Sequence, residues 1–157
     1  DSLDELIAKI QHKIGLWLRG QLILSVIIFL ASFIGLSILG VEHALILAIF
    51  AGLTEFIPIL GPIIGSIPAI FVAFNQAPLL ALFVILLYFL IQQLENDYLV
   101  PAVMEKTVGV NPLISIIALL IGGKLAGIIG ILLAIPVVTI LAVILEYFFG
   151  FKEGEDG

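Results

Sequence analysis

The 157-residue sequence has no cysteine, which removes disulfide frameworks and thiolate-bound metals at once. Histidine is nearly as scarce. His12 falls in a helical stretch and His43 in a turn, so neither has a second imidazole at ligand spacing. No phosphate-binding glycine loop, zinc-helix motif, nucleophile elbow or Ser/His/Asp arrangement occurs, so neither an enzyme nor a cofactor is expected. Lys and Arg total 6 against 12 Asp and Glu, giving a formal charge of −6. Nucleic acid needs a basic face and is not an expected partner. Charged residues make up only 11% of the chain, where a soluble domain carries roughly a quarter.

What fills the gap is apolar. Hydrophobic residues reach 62% and the mean hydropathy is +1.34. A soluble fold of this size leaves about 30% of its unfolded surface exposed, too much to keep such a composition out of water. The expectation is an all-α polytopic membrane protein with the lipid bilayer as its first partner. No secretory signal is visible, and the abrupt helical start suggests a piece of something longer.

Ser2 and Glu5 form a capping-box signature, and Leu3, Leu6, Ile7, Ile10, Ile14 and Trp17 recur at helical spacing. Residues 1–19 therefore read as an amphipathic helix, lying in the membrane interface or packed on a neighbouring subunit or a missing domain. Residues 22–39 are uncharged, and 18 residues of helix cover roughly 27 Å, enough to cross the hydrocarbon core. Pro58, Gly61, Pro62, Gly65 and Pro68 then crowd one segment, which predicts two short helices meeting at a break. Asn75, Gln76 and Pro78 mark a turn into a further helix, which ends in Gln92, Gln93, Glu95, Asn96 and Asp97 and stops at Pro101. A short helix to residue 121, a break at Gly122 and Gly123, and a longer helix to residue 149, interrupted in its first half by Gly127, Gly130 and Pro136, follow. Residues 151–157 read as a disordered acidic tail.

This grammar repeats: a long helix, then a broken or re-entrant hairpin, then the same again. Gly61-x-x-x-Gly65 before Ile67 and Pro68 parallels Gly130-x-x-x-Ala134 before Ile135 and Pro136. Glu55 lies six before Gly61, and Lys124 six before Gly130. The reading is a transmembrane domain over 20–150, with two long transmembrane helices and an inverted repeat of 20–75 and 77–149. Such repeats with interrupted helices mark secondary transporters. The same glycines also serve close helix packing, which by itself needs no transport role.

A carboxylate at membrane depth is costly, so Glu55, just before the break, is the sharpest functional candidate. Lys124 is its counterpart. The two either pair across the repeat or cap separate hairpin tips. Gln92, Glu95 and Asn96 share a helix face, and with Gln93 and Asp97 they form the densest polar cluster. It could carry protons or, through Glu95 and Asp97, hold a sodium ion; it could equally be a wetted helix end. Pro58, Gly61, Pro62, Gly65, Gly122 and Gly123 complete the expected solute pathway.

Gly61-Pro62-Ile63-Ile64-Gly65-Ser66-Ile67-Pro68, Gln93-Leu94-Glu95-Asn96, Pro101, Gly109-Val110-Asn111-Pro112-Leu113 and the Gly122 to Pro136 stretch resemble the autoinducer-2 exporter family. The resemblance covers nearly the whole chain and corresponds to the C-terminal half or so of a typical member. Glu105 departs from the glycine expected before Lys106. The resemblance implies a multi-pass inner-membrane transporter exporting a small polar metabolite such as autoinducer-2. A sodium or lithium/proton antiporter is the alternative, and a non-transporting oligomeric scaffold or pore is the reading of another class. A homo-oligomer with cytoplasmic termini is expected, from the small-residue faces and from Lys9, Lys13 and Arg19 before the first crossing. An inverted repeat makes a direct demand: cysteines placed at 58–62 and at 122–123 should react with an impermeant thiol reagent from opposite sides of the membrane. Labelling from one side only would overturn it.

Overall fold

The computed structural model describes residues 2–57, 60–104 and 112–150. Pro58, the segment 105–111 and the 151–157 tail, with the expectations placed on them, lie outside the described residues. The described residues are helical, without a strand: α1 (Ser2–Leu39), α2 (Ala44–Thr54), α3 (Leu60–Gln76), α4 (Pro78–Leu94), a π-helical turn (Glu95–Leu99), α5 (Val100–Met104) and α6 (Pro112–Phe149). They form two compact units, Gly20–Glu105 and Asp1–Arg19 with Lys106–Gly157.

Helix α1 corrects the first expectation. Residues 1–19 do not form a separate helix; they continue without a break to Leu39. Nothing between them is a breaker, since Gly20 costs only about 1 kcal/mol in a helix. The helix ends where the chemistry demands it. Gly40 takes φ +75°, its N–H donates to the Ser37 carbonyl at 3.1 Å, and Val41 N–H donates to Leu36 at 3.0 Å. This pair of bonds satisfies carbonyls at the helix end, and the left-handed residue is glycine because it has no Cβ to clash.

In the Gly20–Glu105 unit, α2 and α3 form the expected broken hairpin. After Thr54 the chain tightens into a turn, with Glu55 N–H to Gly52, Phe56 N–H to Leu53 and Ile57 N–H to Thr54. Gly61 then sits directly on the Thr54 carbonyl, and a Cβ built there would collide with it. Four residues on, a Cβ on Gly65 would lie 2.6 Å from Thr54 Oγ1 and 3.1 Å from the Ala51 Cα. The two backbones touch, which is what small residues four apart allow. Helix α1 packs on this hairpin through Gly52, whose carbonyl accepts a 2.6 Å hydrogen bond from Ser25 Oγ. Ala69 and Ala73 of α3, Ala81 and Val84 of α4, and Leu36 of α1 fill the rest of the core. The Gln76 side chain clasps the α1–α2 turn, donating to Gly40 O at 2.7 Å and accepting from Glu42 N–H at 3.0 Å.

Pro101 does not stop its helix. The chain widens from Glu95 to Leu99 into a π turn, closed by Val100 N–H to the Glu95 carbonyl, and continues to Met104. A proline clashes with the carbonyl four residues back and offers no donor, and the wider turn just ahead of it absorbs both defects.

In the other unit, the break falls at Gly127, one of the interruptions expected in the last helix, with φ 63° and ψ −136°, and not at Gly122 and Gly123. Only glycine adopts that conformation cheaply. The chain doubles back there, since Gly122 and Gly130 meet backbone to backbone although eight positions apart, a separation of about 12 Å in a straight helix. Gly122 and Gly123 therefore stay helical, and Gly122 serves the contact rather than the turn. Pro136, also expected to interrupt, lies inside the returning arm. Within this unit Lys13 reaches Glu146 at 4.0 Å, a half-exposed ion pair worth little.

By length and composition, three described helices can cross a membrane: Ser2–Leu39, Pro78–Val103 and Leu113–Phe149. The third of these is interrupted at Gly127, where its two arms double back, so its length is not that of one straight span. The touching glycines set a test. Gly61→Ala and Gly130→Ala should each destabilise by about 1–3 kcal/mol through overpacking. Gly15→Ala, with open space around it, should stabilise by roughly 0.5–1 kcal/mol in denaturant unfolding in detergent.

Candidate functional site

The α2–α3 hairpin presents Glu55 at its first turn, and the π turn presents Glu95 at its start. The structure brings these two together. Glu55 is 5% exposed and Glu95 4%, and the two carboxyl side chains come together at one small cavity. A carboxylate has no donor, so a hydrogen bond between two carboxyls requires a proton on one of them. Glu55 Oε2 and Glu95 Oε2 have no hydrogen-bond partner. Both residues line a small cavity of about 20 Å³ with Gly65, Pro62, Tyr88 and Gln92, closed by Ile28, Ala51 and Ile91. No Lys, Arg or His contributes to that lining.

The neighbours explain how the pair is held. Thr54 turns its hydroxyl back to the Ala51 carbonyl at 2.9 Å, leaving Glu55 to project from the turn. The π widening alters the facing of the helix at Glu95, in the way such turns often do at functional positions. Tyr88, one helical turn ahead of Gln92, stands near the fully buried Ser32 of α1. Next to the cavity, Pro62, Ile63, Ser66, Ile70, Ile85, Tyr88, Phe89 and Gln92 line an open groove of about 340 Å³ between α3 and α4. Pro62, Tyr88 and Gln92 line both spaces.

Of the rest of the expected polar cluster, only Gln92 stays beside this pair. Gln92 Nε2 donates to Asn96 Oδ1 at 3.1 Å along the outside of the helix. Gln93, Asn96 and Asp97 are exposed while Glu95 is buried. Glu95 and Asp97, expected together as sodium ligands, sit two positions apart, which places them on opposite faces of a helical segment. Among the described residues, no group of three or more His, Cys, Asp or Glu side chains could hold a metal. Lys124 is exposed, and with Gly122 and Gly123 it belongs to the other unit.

A sequence profile described as AI-2E family transporter matches residues 1–150. The chain belongs to the AI-2E transporter family. It is 33% identical over 139 residues to "Putative transport protein YrrI" of Bacillus subtilis, covering 88% of this chain and 39% of that protein. It is 36% identical over 132 residues to "Putative transport protein YueF" of the same organism, covering 84% and 36%. With "Putative transport protein YhhT" of Escherichia coli it shares 27% over 114 residues, covering 72% and 33%. The chain thus spans under two fifths of the length of these relatives.

Family membership gives the exposed surface its meaning. Ile38, Leu120, Leu125 and Ile128 are each 70% exposed or more, an arrangement water would not tolerate over such an area. This AI-2E family chain is a membrane protein, and those side chains suit lipid.

Three contributors escaped sequence reasoning: Tyr88, Ser25 and Ser32. Each is a polar residue inside an apolar helical run, and that was the available signal, because a hydroxyl in such a run needs a partner. Removing a partner tests the pair. Glu95→Leu should cost about 1–3 kcal/mol, since it leaves the Glu55 carboxyl buried alone. Asp97→Asn, on the exposed face, should stay within about 0.5 kcal/mol in the same unfolding measurement.

Proposed function

We propose that this chain is the substrate-handling part of a secondary transporter that exports a small polar metabolite, such as the furanone autoinducer-2, across a bacterial inner membrane. The observation that carries this reading is the groove between α3 and α4. Its volume of about 340 Å³ lies at the low end of small-molecule sites, which run from roughly 300 to 1,000 Å³. Its walls are mostly apolar, with Ser66, Tyr88 and Gln92 as orienting polar groups, and its inner edge borders the buried carboxyl pair.

The hairpins support the mechanism. Each closes on a glycine seated against a backbone carbonyl of the preceding arm, Gly61 on Thr54 and Gly130 on Gly122. That shared construction favours an internal repeat of two re-entrant hairpins, with alternating access produced by their movement. Both termini fall on the cytoplasmic side in this reading.

The test is flux from proteoliposomes loaded with radiolabelled furanone. Ser66→Leu, which narrows the groove, and Gln92→Ala, which removes an orienting amide, should each lower the initial rate tenfold or more. Asn75→Ala, at the exposed end of α3, should leave it unchanged. Equal rates in all four proteins would overturn the groove as the path, and no flux of furanone in any would overturn the substrate.

A further inference from the structure

We infer that Glu55 and Glu95 form a proton-binding site, one proton shared by two carboxyls and solvated by a single buried water, and that its loss releases the α2–α3 turn from α4. Its use as the coupling site rests on the transport reading above; its occupancy by a proton does not.

Three observations converge on it. The carboxyls come from separate elements, the first turn of a hairpin and a π turn 40 positions later, so sequence proximity does not explain why they line one cavity. Both side chains are at least nine-tenths buried, and each keeps one oxygen, Oε2, without a partner beside the cavity. The cavity measures about 20 Å³, above the 10–15 Å³ that about one water requires and too small for a hydrated cation.

Charge decides between occupants. No cationic side chain lines the cavity, so two carboxylates there would be uncompensated at low dielectric, each costing several kcal/mol. A sodium ion would neutralise only one and would seek about six oxygen ligands. The lining provides the two free carboxyl oxygens, the Tyr88 hydroxyl and the Gln92 amide. A proton needs only what is there. The groups facing the pair are Ala51 from α2, Pro62 and Gly65 from α3, Ile28 from α1, and Tyr88, Ile91 and Gln92 from α4. Of these only Tyr88 can titrate, and its hydroxyl, also without a hydrogen-bond partner, can donate to a carboxylate or to the water.

The consequence is mechanical. With the proton in place, the pair is a hydrogen bond tying the hairpin to α4. Without it, two adjacent negative charges repel, and the contact opens beside the groove. One proton thus gates the wall of the solute path, and this linkage is what coupled transport requires.

Infrared difference spectroscopy on the reconstituted protein reads the proton directly. A protonated carboxyl band that shifts in D₂O and depends on both glutamates reports the buried pair. The band should be present in the parent and lost in both Glu55→Gln and Glu95→Gln, because a glutamine amide donates to the remaining carboxylate and replaces the proton. Glu55→Asp, which keeps a carboxyl, should retain a displaced band and serves as the folded control. Absence of the band in the parent, or its persistence in both glutamine variants, overturns the site. Loss of the parent's band on adding sodium or lithium at constant pH assigns a cation instead and also overturns it. Opening is read by thiol labelling. Ser66→Cys in the groove should label at least fivefold faster at pH 9 than at pH 6, after normalisation to Asn75→Cys, and this gain should vanish in the Glu55→Gln/Glu95→Gln background. A pH response unchanged in that background overturns the gating. Furanone flux failing while band and labelling behave as stated would remove the transport role and leave the proton site.

Discussion

The backbone contact between Gly61 and the Thr54 carbonyl is the constraint on which the rest of the Gly20–Glu105 unit depends. In lipid, apolar side chains gain nothing by leaving their surroundings for a helix interface, so close packing and buried polar links must hold helices together. Contact of bare backbones maximises the first. It also fixes the position of Glu55, which directly follows Thr54 in the chain. Seating Gly65 against Ala51 and Gly52 against Ser25 extends the same logic to the neighbouring helices. The outcome is a carboxyl delivered to one place by glycines that carry no chemistry themselves.

That delivery would be ruinous without a receiver. A single buried carboxyl has nowhere to place its charge or its lone pairs, and the π turn at Glu95 supplies a second carboxyl to share them. The turn has a structural cause of its own, the proline at 101, whose ring and missing donor require a wider path through the helix. One local defect thus accommodates a proline and faces a carboxyl inward. Asp97, two positions on, is thereby left to the exposed side.

How much of this could be read from residues alone follows the same division. The breaks were legible because glycine and proline act locally. The α2–α3 hairpin lies where Pro58 to Pro68 placed it, and Gln76 to Pro78 turns as expected. Errors arose where one residue type has two uses. Gly122 reads as a breaker and is a contact surface, while of the three interruptions expected beyond it Gly127 makes the turn. Pro101 was taken for a stop, and the helix passes it by widening. Glu55 stood out because charge in an apolar run is costly wherever it ends up. Its partner could not be read that way. The meeting of residues 40 positions apart is a property of how α2, α3 and α4 pack, and Glu95 looked like one member of a solvated helix end.

The association of Glu55 with Glu95 is therefore the claim everything else leans on. Solid-state NMR with ¹³C-labelled glutamate in lipid tests it most directly, through the correlation between the two side-chain carboxyl carbons. A cross-peak between two carboxyls, one protonated and one ionised, that disappears in Glu95→Gln is the expected result. Two ionised carboxyls with no correlation between them would contradict it.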